Sequence, residues 1–224
     1  MDVWTRLTRA LHDLPRAPQP GSGRVGAVLV LLSDPDRSGD LELVYTRRRA
    51  DLSSHPGQIA FPGGRVEPAE PVEQAAVREA AEEVGLRPSS VDVLGRLPPF
   101  FIPPSAYWLV PVVSRWRAPH PLVAAEAEVA AVLRIRVSWL LDGARWRVTR
   151  RPPTGAAWAW QLDERHLLWG ATAAVTVALL DILSPGWNSG VDPGALPVER
   201  EASPWEAPER GADGAPDIAS ARLP

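Results

Sequence analysis

The stretch FPGGRVEPAEPVEQAAVREAAEEVGL, from Phe61 to Leu86, joins a glycine pair to a run with the apolar spacing of a helix. Pro68 and Pro71 precede that run and Gly85 ends it, which is the usual order of helix start and stop signals. At about 100° per residue, the apolar residues of the run fall on one side and most of its carboxylates on the other. The stretch therefore predicts a helix with one face in the core and one acidic face.

The acidic face holds Glu79, Glu82 and Glu83, with Arg78 at its edge. Carboxylates three or four residues apart on a helix repel one another, at a cost of about 0.2 to 0.5 kcal/mol per pair. One interpretation is a solvated acidic surface, which is common on glutamate-rich helices. The other is a metal site, because clustered carboxylate oxygens are the ligands that Mg²⁺ or Mn²⁺ prefers, and a bound cation would turn the repulsion into coordination.

The rest of the chain shows strand-like segments on both sides of this helix. Leu7, Leu11 and their neighbours predict a short first helix over Val3 to Leu14. Several apolar segments predict strands: RVGAVLVLL, LELVYTR, VDVLGRL, YWLVPVVSRWR, AAVLRIRV, RWRV and AWAWQL. The segment LLWGATAAVTVALLDIL predicts a last helix. Strands before, between and after two long helices predict an α/β (α+β) fold, with a mixed β-sheet sandwiched between helices.

The length of 224 residues and the 45% hydrophobic content favour one main domain with its own core. We expect an N-terminal helix and linker over residues 1–20 and the domain itself over residues 21–186. Proline, glycine, alanine and charge dominate residues 187–224, which predicts a disordered tail.

Composition also excludes several classes of protein. The absence of cysteine excludes disulfides, thiolate zinc sites and a cysteine nucleophile. A net charge of −3 gives no indication of a nucleic acid partner, and no apolar run is long enough to span a membrane. The N-terminus lacks the apolar core of a signal peptide. We therefore expect a cytoplasmic protein with a small-molecule substrate, and the sequence leaves open a homodimer.

The stretch closely resembles the Nudix box. That pattern is Gly, five residues, Glu, seven residues, Arg-Glu, an aliphatic residue, any residue, Glu-Glu, any residue, Gly and an aliphatic residue. Every specified position is filled, by Gly64, Glu70, Arg78, Glu79, Ala80, Glu82, Glu83, Gly85 and Leu86. The resemblance implies the Nudix fold and hydrolysis of the pyrophosphate in a nucleoside diphosphate linked to another moiety, with Mg²⁺ or Mn²⁺ as cofactor.

The resemblance also implies roles for individual residues. Glu79, Glu82 and Glu83 would bind the metal together with the backbone carbonyl of Gly63, and Glu79 or a neighbour such as Glu82 would orient or deprotonate the attacking water. The remaining motif residues, Gly64, Glu70, Arg78 and Gly85, would be structural, with Arg78 steering the carboxylates by ion pairing.

The segment before the box, LVYTRRRADLSSHPGQIAFPGG, resembles the corresponding segment of coenzyme A diphosphatases in the Nudix superfamily. It departs from that segment at Arg49 and Ser53, and it matches at Thr46, Arg48, Gly57, Phe61, Pro62, Gly63 and Gly64. The resemblance implies cleavage of coenzyme A, or an acyl derivative, to 3′,5′-ADP and 4′-phosphopantetheine. Arg47 and Arg48 are the candidate phosphate-binding residues, since guanidinium groups hold phosphate oxygens bidentately.

Two alternatives to coenzyme A cleavage stay open from the sequence. One is hydrolysis of another nucleotide, such as ADP-ribose, a dinucleotide or a nucleoside triphosphate, and the other is a Nudix module that senses a nucleotide without cleaving it.

Some residues outside the box have open roles. Glu126 and Glu128 are candidates for an additional acid, although such residues are often solvated. His55 could contact a phosphate or cap its own turn. The aromatic residues Trp108, Trp158 and Trp160 could stack on adenine, but we interpret them as core residues.

Overall fold

The computed structural model describes residues 2–15, 24–102, 107–151 and 155–199. Its helices are α1 (Val3–His12), α2 (Val72–Val84), α3 (Val137–Leu140) and α4 (Gly170–Leu183). The first six strands are β1 (Arg24–Ser33), β2 (Glu42–Arg48), β3 (Ile59–Ala60), β4 (Gly63–Arg65), β5 (Val91–Arg96) and β6 (Phe100–Ile102). The other six are β7 (Tyr107–Trp116), β8 (Val129–Arg136), β9 (Trp146–Arg151), β10 (Gly155–Gln161), β11 (Leu167–Leu168) and β12 (Val198–Glu199).

The main sheet is mixed, as predicted. Its strand order is β3-β2-β1-β7-β5, with β4 paired to β1, β6 to β7 and β8 to β2. Strands β1 and β7 are parallel, whereas the other pairs in this sheet are antiparallel. A second sheet has the order β11-β10-β9-β12.

Strand β1 is buried on both faces, which explains its continuous apolar sequence. Leu29 and Leu31 pack in the cluster that contains the alanines of α2. Val30 and Leu32 pack in the opposite cluster, with residues of α1, α4 and the second sheet. Alternate side chains of one strand thus enter two separate cores. Helices therefore cover both faces of the main sheet, and the predicted fold is confirmed.

The N-terminal helix is part of this fold. Leu7 and Leu11 are buried in the larger core, and α1 packs against β5 and α4. Asp2 caps the helix by accepting the backbone N–H groups of Trp4 and Thr5. The predicted separation of this helix from the domain is therefore corrected. Residues 16–23, which include the end of the linker expected before residue 21, lie outside the described residues.

The predicted disordered tail from residue 187 is wrong for its first part. Trp187 contacts the rings of Trp146, Trp158 and Trp160, with centroid distances of 5.0 to 6.0 Å. Farther on, β12 pairs in parallel with β9. One large aromatic side chain and one strand pairing hold this segment although its composition is polar and proline-rich. Residues 200–224 lie outside the described residues.

Within the part of the chain that the structure describes, there is no helix of the length and apolar character needed to cross a membrane.

Candidate active site

The glycine pair lies where β4 meets β1. Gly63 is opposite Val28 and Gly64 opposite Ala27. A Cβ atom on Gly63 would lie 2.3 Å from the carbonyl oxygen of Ala27, and one on Gly64 would lie 2.4 Å from Oε2 of Glu79. Neither position has room for a side chain. The pair therefore allows β4 to contact the sheet closely and leaves space for the Glu79 carboxylate.

Arg78 connects the motif carboxylates on the outer side of α2. Its Nε and Nη2 donate to the two carboxylate oxygens of Glu70, at 2.9 and 3.1 Å, and Nη2 also donates to the Arg65 carbonyl at 3.0 Å. Its Nη1 donates to Glu79 at 3.0 Å and lies 3.4 Å from Glu82. These guanidinium hydrogen bonds lower the pKa of the Glu70 carboxyl group. Glu82 is the exposed member of this group, with 61% of its side chain accessible.

Glu83 lies on the inner side of the same helix and is only 8% exposed. The backbone N–H of Gly63 donates to its Oε2 at 3.0 Å. Burial raises the pKa of the Glu83 carboxyl group to about 7, although the Gly63 hydrogen bond and the charge of Arg48 oppose that rise. The negative charges of Glu79 and Glu128 raise this pKa further. A buried carboxyl group beside two other carboxylates is a position where a cation would be strongly stabilised.

The segment before β8 brings a further carboxylate, that of Glu128, close to Glu83. Its backbone is tied to the end of α2, since the N–H of Ala125 donates to the carbonyl of Glu83 at 2.8 Å. Glu128 then lies 3.9 Å from Arg48. The carbonyl of Glu126 accepts from Arg49, and the charge of its carboxylate also acts on that arginine. Of the two acids that the sequence left open, the structure thus places Glu128 near Glu83.

Three consecutive arginines occupy the last two positions of β2 and the position after it, and each has a different partner. Arg49 is paired with Asp51, with two contacts of 2.8 and 2.6 Å. Arg48 faces Glu128, and its buried Nε has no hydrogen-bond acceptor within the described residues. Arg47 Nη1 lies 3.1 Å from Nε2 of His166. Only Arg49 is therefore closely neutralised by a carboxylate.

His166 is held by Asp163, a contact that the sequence analysis missed. Its Nδ1 lies 2.7 Å from an Asp163 carboxylate oxygen. Its other ring nitrogen, Nε2, faces Nη1 of Arg47, so the ring lies between Asp163 and Arg47. Asp163 also accepts the N–H groups of Arg165 and His166. The segment Asp163 to His166 is a side-chain-capped turn, and its Asp-x-x-His spacing was the available signal.

The other open residues have local roles. His55 adopts a φ of 55° and its Nδ1 lies 3.0 Å from the Gln58 side-chain oxygen, as expected of a residue that caps its own turn. Trp158 and Trp160 belong to the aromatic core around Trp187. Trp108 contacts the half-exposed ring of Phe101, with a centroid distance of 5.1 Å.

The family model described as "NUDIX domain" matches residues 23–152. The chain belongs to the Nudix family. It is 36% identical over 162 residues to "Uncharacterized Nudix hydrolase NudL" of Shigella flexneri serotype 5b (strain 8401), covering 70% of this chain and 81% of that protein. A protein of the same name from Escherichia fergusonii is 37% identical over 157 residues, which cover 68% and 79% of the two chains. These relatives support the prediction that the protein is a pyrophosphohydrolase.

A crystal structure of a MutT/nudix family protein from Enterococcus faecalis aligns with a TM-score of 0.48. The two chains are 15% identical, and the alignment covers 76% of this chain and 71% of that one.

Nudix hydrolases use divalent metal ions, and the donor chemistry at this site fits such an ion. Glu79, Glu82 and Glu83 supply hard oxygen donors within two turns of one helix. In the arrangement described, no three acidic or histidine side chains among the described residues converge on one point. Instead, the guanidinium group of Arg78 contacts the carboxylates of both Glu79 and Glu82. For all three glutamates to bind one metal ion, their side chains would therefore have to rotate while the helix backbone stays in place.

Proposed function

We propose that this Nudix enzyme cleaves the pyrophosphate of coenzyme A, or of an acyl derivative, to 3′,5′-ADP and 4′-phosphopantetheine, using Mg²⁺ or Mn²⁺. The observation that carries this proposal is the position of Arg48, whose positive charge acts on Glu83 and which lies 3.9 Å from Glu128. Coenzyme A carries a 3′-phosphate in addition to its pyrophosphate, so a binding site needs cationic groups for both. Arg48 approaches the carboxylates, and the adjacent Arg47 contacts His166.

Glu79, Glu82 and Glu83 would hold the metal ion, with the carbonyl of Gly63 as a further ligand. When bound, such an ion neutralises phosphate oxygens and lowers the pKa of a water molecule. Glu79 and Glu82 are the proposed groups that orient or deprotonate the attacking water. Arg78 and Glu70 would keep those two carboxylates in place, because the guanidinium bridges all three acids.

Arg48 would bind the pyrophosphate, and Arg47 would bind the 3′-phosphate. The contact with His166 orients the Arg47 guanidinium. Arg49 differs from both, since Asp51 already occupies its guanidinium edge. Arg49 is one of the positions at which this chain departs from the coenzyme A diphosphatase segment. Its pairing with Asp51 is consistent with a structural role instead of a substrate-binding one.

The first experiment is product analysis by mass spectrometry. The purified protein is incubated with coenzyme A and Mg²⁺ or Mn²⁺, beside the Glu83→Gln variant. We expect 3′,5′-ADP and 4′-phosphopantetheine only with the unchanged protein. A second comparison uses dephospho-coenzyme A, which lacks the 3′-phosphate. Arg47→Gln should raise the KM for coenzyme A about tenfold and leave that for dephospho-coenzyme A unchanged, whereas Arg49→Gln should alter neither.

The alternative substrates give a clear contrary result. If ADP-ribose, a dinucleotide or a nucleoside triphosphate is hydrolysed with a kcat/KM at least about tenfold above that of coenzyme A, a difference of about 1.4 kcal/mol, the proposed substrate is wrong. If the protein binds one of these without any turnover, and Glu83→Gln binds equally well without metal, it is a nucleotide sensor.

A further inference from the structure

A cavity of about 890 Å³ lies at the end of β1 and β7 in the main sheet. Its wall includes Trp4 of α1, the turn after β1 and the last residues of β7. On β1, Val28 is opposite Gly63, while Leu32 is opposite Arg115 in β7. Four residues of strand separate these two positions by about 13 Å. The Arg115 end of the cavity is therefore about 13 Å along the sheet from the glycine pair, and the cavity volume is in the usual range for small-molecule sites.

The cavity is strongly cationic. One aspartate, Asp34, lines it together with four arginines: Arg37, Arg115, Arg117 and Arg134. The Asp34 carboxylate accepts the backbone N–H of Gly39. Arg117 lies 3.7 Å from Asp92, and Arg134 lies 2.5 Å from the buried Glu42.

Two of the four arginines form no ion pair among the described residues, although Asp92 is opposite Arg115 in the pairing of β5 with β7. Within the part of the chain that the structure describes, neither Arg37 nor Arg115 has a carboxylate partner. Arg37 is exposed in the turn after β1. The Arg115 guanidinium lies over the ring of Trp4, 4.9 Å from its centroid. Stacking on an aromatic ring fixes the plane of a guanidinium without cancelling its charge.

Two residues that line the cavity carry buried hydrogen-bond donors without acceptors among the described residues. Trp116 is 2% exposed, and its indole N–H has no acceptor among the described residues. The same holds for Nε of Arg134, whose guanidinium lies 5.3 Å from the Trp116 ring centroid. A buried donor left unpaired costs about 1 to 3 kcal/mol, which a ligand oxygen would remove. These unpaired groups are donors, so they would recognise a ligand rich in acceptors.

We propose that this cavity binds a small molecule through a phosphoryl group. A phosphoryl group offers three acceptor oxygens and close to two negative charges, whereas a carboxylate offers two oxygens and one charge. The two arginines without an ion pair, together with the buried indole N–H, match the phosphoryl group better. This site does not depend on the metal or on the reaction at the carboxylates.

The test is isothermal titration calorimetry of the full chain with AMP or inorganic phosphate, in EDTA so that no divalent ion is present. We expect one AMP per chain with a Kd below about 1 mM. The Arg37→Gln/Arg115→Gln double variant should bind at least about tenfold more weakly. Arg6→Gln is the matched control, because Arg6 is exposed on the same helix as Trp4 and does not line the cavity. Arg48→Gln is the control for binding at the active site.

Three results would overturn the proposal: no binding of AMP or phosphate below about 10 mM, equal affinity of the double variant, or loss of binding in Arg48→Gln. Adenosine is the remaining probe, and if it binds as tightly as AMP the phosphoryl group is not recognised. Thermal unfolding of each variant without ligand checks its fold. If the double variant does not fold, Arg37→Asn decides, since asparagine tolerates the φ of 55° at this exposed position. It should weaken AMP binding at least about threefold.

Discussion

Glu82 and Glu83 are neighbours on one helix, yet the structure places them in different environments. Glu82 is mostly exposed at the edge of the Arg78 ion pairs. Glu83 is buried, receives the Gly63 N–H and has its pKa raised to about 7 by that burial. The carboxylates on the Arg78 side already have a cation, whereas Glu83 has several acids nearby and, among the described residues, Arg48 as the cation acting on it. We therefore expect a bound metal to matter most to Glu83.

The largest predicted effect tests that difference directly. Glu83→Gln should lower kcat at least about 10³-fold, equivalent to about 4 kcal/mol, because no water can replace a buried ligand. Glu82→Gln should lower kcat by about 10- to 100-fold, since water reaches that exposed position. Steady-state kinetics of both variants, with the same substrate and metal, gives the ratio of their kcat values. Equal losses would show that burial does not separate the two carboxylates.

The raised pKa of Glu83 predicts the pH dependence of stability in the metal-free protein. Between an unfolded pKa near 4.5 and the folded value of about 7, the native state holds a proton that the unfolded chain has released. The contribution of Glu83 to the free energy of unfolding is therefore largest below about pH 4.5. It falls by about 3 kcal/mol as the pH rises to about 7.

Urea unfolding in EDTA at several pH values measures this slope. Glu83→Gln has no titrating group at the position, so subtracting its pH profile from that of the unchanged protein isolates the contribution of Glu83. The interpretation fails if the two profiles are parallel between pH 5 and 7.

Arg78 should have a smaller effect, which acts through its neighbours. Arg78→Gln releases Glu70, Glu79 and Glu82 from one shared cation. Residues that orient metal ligands typically contribute about 10- to 100-fold to metal affinity or activity. We expect a loss of that size in the apparent affinity for Mg²⁺, measured as the metal concentration that gives half-maximal rate. A variant with unchanged metal dependence but reduced kcat would instead assign Arg78 to the reacting phosphate.

The fold was largely predictable because its strongest signals are local. The apolar run of β1 predicted a doubly buried strand, and Gly85 in the left-handed region with φ of 64° ends α2 as expected. The ordered segment around Trp187 was not predictable from composition, because its stability comes from distant tryptophans on β9 and β10.

The sequence could predict that Glu82 and Glu83 share one helix, but it could not predict how their environments differ. Helical periodicity placed Glu82 and Glu83 on one acidic face, and it holds no information about which of them the sheet covers. That choice depends on β4, whose Gly63 N–H reaches Glu83. The same limit applies to Arg47 and His166, which are far apart in sequence and meet only when β2 and the turn before β11 come together.

The smallest predicted effect concerns the space that Gly64 leaves for Glu79. In Gly64→Ala the new Cβ would lie 2.4 Å from the Glu79 carboxylate, the mobile end of a flexible side chain, so we expect normal folding and a kcat about tenfold lower. Gly63→Ala would instead meet the Ala27 carbonyl at 2.3 Å, which the backbone cannot avoid, and should unfold the protein at lower temperature. Gly143→Ala is the control, because its Cβ would contact Trp146 at an ordinary 3.7 Å. Thermal unfolding and kcat, measured together, separate the two motif glycines. If Gly64→Ala keeps full activity, the position of Glu79 is not required for catalysis, and the Glu83 side of the helix acts alone.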